Sequence, residues 1–292
     1  MSAAPSTSFR AGLIQMCTGR DIARNLEDAT HLIREAAGQG AYYVQTPEFT
    51  VLMQATSREW FAGTLAEEGN PAVAHFLGLA RELGLWLHLG SISVLLPSGK
   101  IANRSYLFSP EGDVAARYDK IHMFDAAPGS GESYRESKHF QAGDKAVVAS
   151  LPWGQLGLTV CYDLRFPVLY RALAQAGATI LAVPSAFIQQ TGAAHWHALV
   201  RARAIETGSY VLAAAQGGRH ESGRETFGHS IAVSPWGQII AEAGDDVQPS
   251  VILADIVLSE VDEARRRMPS LGHDRHFGVE RVHSLEGIGR TS

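Results

Sequence analysis

Three residues of complementary chemistry each close an apolar, strand-like run. Glu48 follows Tyr42-Tyr-Val-Gln-Thr46, Lys120 follows Val114 to Asp119, and Cys161 follows Leu158 to Val160. A thiol, a carboxylate and an ammonium group form a coherent set for acyl transfer. The carboxylate accepts the thiol proton and returns it to a leaving amine, while the cation stabilises the thiolate and the oxyanion formed on attack. A free thiol has a pKa near ~8.5, so at neutral pH it needs such help. The setting of Cys161 suits the task. A polar turn, Tyr162-Asp163-Leu164-Arg165, leads to Pro167, which fits the first turn of a helix whose apolar positions are Val168, Leu169, Leu173 and Ala174. A helix N-terminus favours a thiolate or oxyanion beside it. Each residue also has a plain structural reading: Cys161 as a core thiol, Glu48 as a turn carboxylate, Lys120 as the solvated end of a strand.

Positioning these residues requires strands that end together. Phe9 to Met16 reads as a first strand, and Asp21 caps a helix with Ile22, Leu26, Ala29, Leu32, Ile33 and Ala36 on its apolar face, ended by Gly38 and Gly40. A helix over 71–83 stops at Gly84, strands 86–95 and 101–108 flank the turn Pro97-Ser-Gly-Lys100, and 114–119 follows. Residues 121–143 read as a long irregular loop, a functional feature in a compact domain. Strands at 145–151, 156–161, 178–183 and 210–215 and a helix over 193–207 come next. Three closing strands (227–234, 238–243, 251–257) precede a short helix from Ser259 carrying Arg265-Arg266-Arg267, which reads as a solvated or interface face. Continuous apolar strands imply cover on both faces, hence sheets sandwiched between helices. No linker or short repeat interrupts the chain, so one domain over 9–275 is expected, with a polar tail at 1–8 and a C-terminal tail at 276–292; the stretch beyond Pro269, rich in His, Arg and Gly, is expected to dock on a partner or be mobile.

Composition narrows the class. Of 292 residues, 46% are hydrophobic and 19% charged, with a net charge of −5, which argues against nucleic acid as partner. No stretch approaches a membrane span and the start lacks a secretory apolar core. Two cysteines, Cys17 and Cys161, fit a reducing cytosol, so a cytoplasmic protein is expected. Twelve histidines invite a metal reading. His195 and His197 are two apart and do not share a helix face, and His273 and His276 have no cysteine partners nearby, so structural histidines are the expectation and no metal is assigned.

Three ordered motifs, Thr46-Pro-Glu48-Phe, Tyr118-Asp-Lys120-Ile-His-Met-Phe-Asp125 and Leu158-Thr-Val-Cys161-Tyr-Asp-Leu-Arg-Phe-Pro167, make the chain resemble the nitrilase superfamily of carbon–nitrogen hydrolases from about residue 9 to about 275. The resemblance implies an α/β fold, a four-layer α-β-β-α sandwich, and a Glu–Lys–Cys triad acting through a thioester. Cys161 is then the nucleophile, Glu48 the general base and Lys120 the oxyanion stabiliser, with the Tyr162 backbone N–H in the oxyanion hole. A second glutamate that orients substrate and Lys120 matches Glu136, with Glu132 as its competitor. Thr191-Gly-Ala-Ala-His195-Trp196, Arg201-Ala-Arg-Ala-Ile-Glu206, Ala213-Ala-Ala-Gln216, Gly228-His229-Ser230 and Pro235-Trp-Gly237 are similar to the Fhit-associated branch. That branch implies hydrolysis of the terminal amide of a small carboxylic or dicarboxylic acid such as deaminated glutathione, without cofactor or metal, by a homodimer or higher homo-oligomer. An ω-amidase, a nitrilase, an N-carbamoyl amino acid hydrolase and a non-enzymatic scaffold are the alternatives. Arg165, Phe124 and Phe187 are candidate substrate contacts; Arg165 either holds a substrate carboxylate bidentately or locks the turn through a salt bridge. Val168 stands where the family usually has glutamate, which removes a polar contact at the start of that helix and bears on the dimer surface.

Overall fold

A computed structural model describes residues 8–129, 132–244 and 246–282. In chain order the first half comprises β1 (Ser8–Gln15), α1 (Ile22–Gly38), β2 (Tyr43–Gln45), α2 (Ser57–Gly63), α3 (Pro71–Leu83), β3 (Trp86–Leu95), β4 (Ile101–Phe108) and β5 (Val114–Asp119). A hairpin, β6 (Asp125–Gly129) and β7 (Glu132–Arg135), leads to β8 (Val147–Ser150), β9 (Gln155–Leu158), α4 (Pro167–Gln175), β10 (Ile180–Ala182), α5 (Gln189–Thr207) and β11 (Tyr210–Ala213). A second hairpin, β12 (Gly217–Arg219) and β13 (Glu225–Phe227), precedes β14 (Ile231–Val233), β15 (Ile239–Glu242), β16 (Ser250–Val257) and α6 (Ser259–Arg267).

Two six-stranded sheets result, ordered β16-β1-β2-β3-β4-β5 and β15-β14-β11-β10-β9-β8. Each has a parallel trio at its centre, β1-β2-β3 in one and β9-β10-β11 in the other, flanked by antiparallel strands. Parallel neighbours need crossovers, and α1, α3, α4 and α5 supply them on the outer faces. Period-two alternation in β1 shows how the layers form. Phe9, Ala11 and Leu13 join the core between the sheets, while Ile14 and Met16 join the core beneath α1 and α3. The product is the four-layer α-β-β-α sandwich, in which the carboxyl ends of β2 and β9 lie at one end of the inter-sheet layer.

Local chemistry explains the elements. Asp21 caps α1 by accepting from the Ala23 and Arg24 amides, and Gly84 ends α3 in the left-handed conformation. Four expectations are corrected. Residues 121–143 contain the β6–β7 hairpin and a 3₁₀ turn at Glu136–Lys138 rather than being irregular throughout. The strand over 227–234 is two strands, because Gly228 (φ 71°) and His229 (φ 55°) turn the chain out of one sheet and into another. Helix α5 begins at Gln189, not Ala193, and β9 stops at Leu158. α2 was not anticipated; Thr56 and Glu59 form its capping box.

The tail beyond Pro269 is partly docked on its own chain. Arg171 and Gln175 of α4 hold the Asp274 carboxylate and the Leu271 carbonyl. Residues 283–292 and most of the tail at 1–8 lie outside the described residues. No helix among the described residues is long and apolar enough to cross a membrane.

Candidate active site

Cys161 opens a 3₁₀ turn, Cys161–Arg165, with φ 50°, a conformation an L-residue adopts only when its surroundings hold it. The restraints are visible. The Cys161 N–H donates to the Pro184 carbonyl at 2.9 Å, and the Val160 N–H donates to Asp163 Oδ2 at 2.9 Å. Asp163, fully buried, also accepts from Tyr118 OH at 2.7 Å, the His122 N–H at 3.0 Å and His122 Nδ1 at 2.7 Å. From outside the turn, Arg203 of α5 donates through Nε and Nη2 to the Leu164 carbonyl. The Asp163 N–H bonds Val160, whereas the Tyr162 N–H makes no hydrogen bond among the described residues.

Glu48 reaches the thiol from the other sheet. It follows β2, and its neighbour Phe49 is also left-handed (φ 57°), pinned by its N–H on Ser91 Oγ at 3.0 Å. Gln216 donates to the Glu48 carbonyl at 2.9 Å, which gives the Ala-Ala-Gln motif a purpose: it ties one sheet's strand end to the other's. Asn103 of β4 donates to Glu48 Oε1 at 2.8 Å. Lys120, at the end of β5, donates from Nζ to Glu48 Oε1 at 3.0 Å and to both Glu136 oxygens at 3.0 and 2.9 Å. Glu136 further accepts the Phe124 N–H at 2.5 Å. The Cys161 thiol and the Glu48 carboxylate lie close enough for each to shift the other's pKa. Glu48, Lys120 and Cys161 are 1%, 2% and 7% exposed. The structure therefore brings Glu48, Lys120, Glu136 and Cys161 into one buried cluster; the Glu132 side chain lies outside the described residues.

The electrostatics follow from burial and pairing. Burial pushes the Glu48 carboxyl up, but Lys120, the Cys161 thiol and Arg224 outweigh it and hold the group below the usual carboxylate range. Burial opposes the Lys120 charge, yet Glu136, Glu48 and Cys161 raise its pKa, so it stays an ammonium. Burial and then Glu48 push the Cys161 thiol well up. At rest the site holds a protonated thiol beside an ionised carboxylate, an arrangement in which the carboxylate can take the thiol proton.

Above this cluster opens a cavity of about 670 Å³, lined by Phe124, Tyr162, Arg165, Phe187 and Arg224 among others. Arg165 makes no salt bridge among the described residues; its guanidinium lies 5.8 Å from the Tyr162 ring centre and 5.3 Å from that of Phe187, with Nη1 3.3 Å from His195 Nδ1. Among the described residues, this removes the salt-bridge half of the two readings of Arg165. Asn103, Arg203 and Arg224 were missed from sequence. Asn103 stands beside Arg104 and Ser105 in β4, so its polar type gave no distinct signal. His197 pairs not with His195 but with Glu242 at 2.6 Å, which also meets His229 at 3.0 Å. These three ligand-type atoms lie within 4.8 Å of one another and satisfy each other by hydrogen bonding. Cys17 and Cys161 are both free thiols. Val168 is 79% exposed on α4.

Comparison with known proteins gives consistent results. The family model for carbon–nitrogen hydrolase matches residues 10–266. A deaminated glutathione amidase of Yersinia enterocolitica is 40% identical over 266 residues, covering 90% of this chain and 92% of its own. Among solved structures, the NitFhit protein of C. elegans superposes with a TM-score of 0.84 at 33% identity, over 92% of this chain and 65% of that longer one. A mutant of the amidase from Nesterenkonia sp. AN1, carrying the acetamide moiety of fluoroacetamide covalently at its active-site cysteine, superposes with a TM-score of 0.74 at 27% identity, over 94% of this chain and 100% of that one.

Proposed function

The chain belongs to the carbon–nitrogen hydrolase family, in its nitrilase-superfamily amidase branch, and from this we propose that it hydrolyses the amide of deaminated glutathione through a Cys161 thioester. The observation that carries the reading is the shared Lys120 ammonium: it holds Glu48 against the Cys161 thiol while Glu136 fixes it from the other side.

The steps follow from that geometry. Glu48 takes the thiol proton as sulfur bonds to the amide carbon. The carbonyl oxygen becomes an oxyanion, met by Lys120 Nζ and the Tyr162 N–H. As the tetrahedral adduct collapses, the C–N bond breaks and the proton on Glu48 passes to the departing amine. Water then attacks the thioester, Glu48 takes its proton, and the thiol leaves reprotonated. Glu136 keeps Lys120 oriented throughout. Phe124, Phe187 and Arg165 line the acyl site, with Arg165 taking a substrate carboxylate. The catalytic domain on this reading spans 9–275, and the enzyme works in the cytoplasm as a homodimer, with neither nucleic acid nor membrane as partner.

The test is a panel of deaminated glutathione, α-ketoglutaramate, a simple nitrile and an N-carbamoyl amino acid, with intact-mass detection of the acyl-enzyme. Deaminated glutathione is expected to have the highest kcat/KM, and Cys161→Ala to abolish both turnover and adduct with its fold intact. Preference for another member of the panel would replace the substrate; full activity in Cys161→Ala would sink the mechanism; no product and no adduct with any of the four would leave a scaffold.

A further inference from the structure

The cavity holds a second guanidinium to which the mechanism above gives no ligand. Arg224 sits at the turn between β12 and β13, and among the described residues neither it nor Arg165 has a carboxylate partner in a salt bridge. Arg224 donates from Nη2 to the Ala186 carbonyl at 3.2 Å, while its Nε is buried without a partner. A buried guanidinium N–H left unmatched is costly, and an anionic ligand is what relieves it. Its support is rigid. Arg224 accepts the His220 N–H at 2.9 Å, and His220 is locked between Thr18 and Thr226.

The two arginines mark the ends of one aromatic wall. The Arg224 guanidinium lies 5.6 Å from the Tyr134 ring centre, Tyr134 lies 5.0 Å from Phe124, Phe124 lies 5.1 Å from Tyr162, and Arg165 lies 5.8 Å from Tyr162. All five residues line the same cavity as Cys161. With one Nη engaged, on Ala186 for Arg224 and on His195 for Arg165, each five-donor guanidinium keeps further N–H groups for a planar anion.

We propose that Arg224 is a specificity-determining anion site, so that the cavity selects amides bearing two carboxylates, one met by Arg165 and the other by Arg224. The inference rests on the amidase reading of the cavity and deepens it by naming the residue that reads the second carboxylate. A monocarboxylic amide leaves one guanidinium unmatched, and a neutral amide or nitrile leaves both. Because Arg224 also helps hold Glu48 ionised, its loss alters turnover as well as binding. The informative readout is therefore binding without chemistry.

The experiment is calorimetric titration of α,ω-dicarboxylates from glutarate to sebacate, and of monocarboxylates of equal length, into wild type, Arg224→Gln, Arg224→Lys and Arg165→Gln. Wild type is expected to prefer the best dicarboxylate by about tenfold to a hundredfold, the range of one charge-assisted contact. Arg224→Gln should bind both classes alike, and Arg224→Lys should recover part of the preference. Thermal melts identify any variant that has merely lost its fold, and Arg224→Lys, which keeps the charge, then carries the test. No dicarboxylate preference in wild type, or a preference that survives Arg224→Gln, overturns the proposal. Turnover is read separately: a wild type that prefers dicarboxylates but leaves deaminated glutathione intact sinks that substrate and not the second anion site.

Discussion

Cys161 rests as a thiol, because burial and the Glu48 charge both oppose its ionisation. On the proposed mechanism Cys161 and Glu48 act as one unit, and the pH profile should report Glu48. Activity needs Glu48 ionised, so it is lost as pH falls through a pKa held below the usual ~4.3. On the alkaline side the raised pKa values of Cys161 and Lys120 postpone any loss. The expected kcat/KM profile is flat from about pH 5 to about pH 8, unlike that of a preformed thiolate. An acid limb centred near or above ~6 would assign the control to another group. Asn103→Leu removes a neutral donor from Glu48 Oε1 while keeping volume, so it should move the acid limb upward and reduce kcat. Much of this residue set was legible in the sequence. Glu48, Lys120, Cys161 and Glu136 are chemically suggestive types in ordered motifs. Asn103 and Arg224 were not, since each acts through a neighbour that only folding supplies.

At the level of elements, the cluster depends on two places where backbone meets backbone. A Cβ on Gly90 in β3 would stand 1.9 Å from the Thr46 carbonyl oxygen, directly before Pro47 and Glu48. A Cβ on Gly143 would stand 2.2 Å from the Asp119 carbonyl oxygen, directly before Lys120. Neither contact can yield by a side-chain rotation. Gly90→Ala and Gly143→Ala are each expected to destabilise the fold by about 1–3 kcal/mol and to lower kcat more than they raise KM, because they displace the base or the cation. Denaturant melts and steady-state kinetics check this; wild-type kcat in both variants would show that the strand ends are not held by these approaches. The same reasoning explains what sequence patterns missed. Phe227 to Ser234 reads as a single strand, yet a left-handed pair at Gly228 and His229 divides it between two sheets. The β6–β7 hairpin has no strong apolar alternation of its own and is held by ladder bonds and by Asp125 accepting from Ser137. Long elements were readable for different reasons: α1 repeats one buried face over many turns, and β3 is a long apolar-rich run buried along its length.

For the whole molecule, burial of two histidines contributes to the acid sensitivity of the fold. His88 is fully buried beside Tyr43 OH, and burial depresses it to about 3; burial likewise takes His220 to about 4. Both stay neutral in the fold but protonate when the chain unfolds, near ~6.5, so the unfolded state binds more protons below that pH. Stability should therefore fall on acidification from about 6.5 toward about 4, by roughly 1.4 kcal/mol per pH unit for each histidine. A Tm that is level across that window would refute the assignment. Assembly is the second property at this scale. Ile205 of α5 is 55% exposed, Trp236 48% and Met268 62%. They are neighbours: Ile205 meets the Gly237 turn, and Arg267 stacks 4.2 Å from the Trp236 ring. Val168 adds a further exposed apolar side chain on α4. Such surface on the outer helical layer is what a second copy would cover. α5 also carries Arg203, whose guanidinium holds the Leu164 carbonyl behind Cys161, so an interface built on α5 would steady the nucleophile turn. Sedimentation of the wild type should give twice the 31.4 kDa chain mass. Ile205→Asp should shift the mass toward one chain and lower kcat in step with the loss of dimer. A monomeric wild type at micromolar concentration, or a monomeric Ile205→Asp with undiminished kcat, would separate assembly from catalysis.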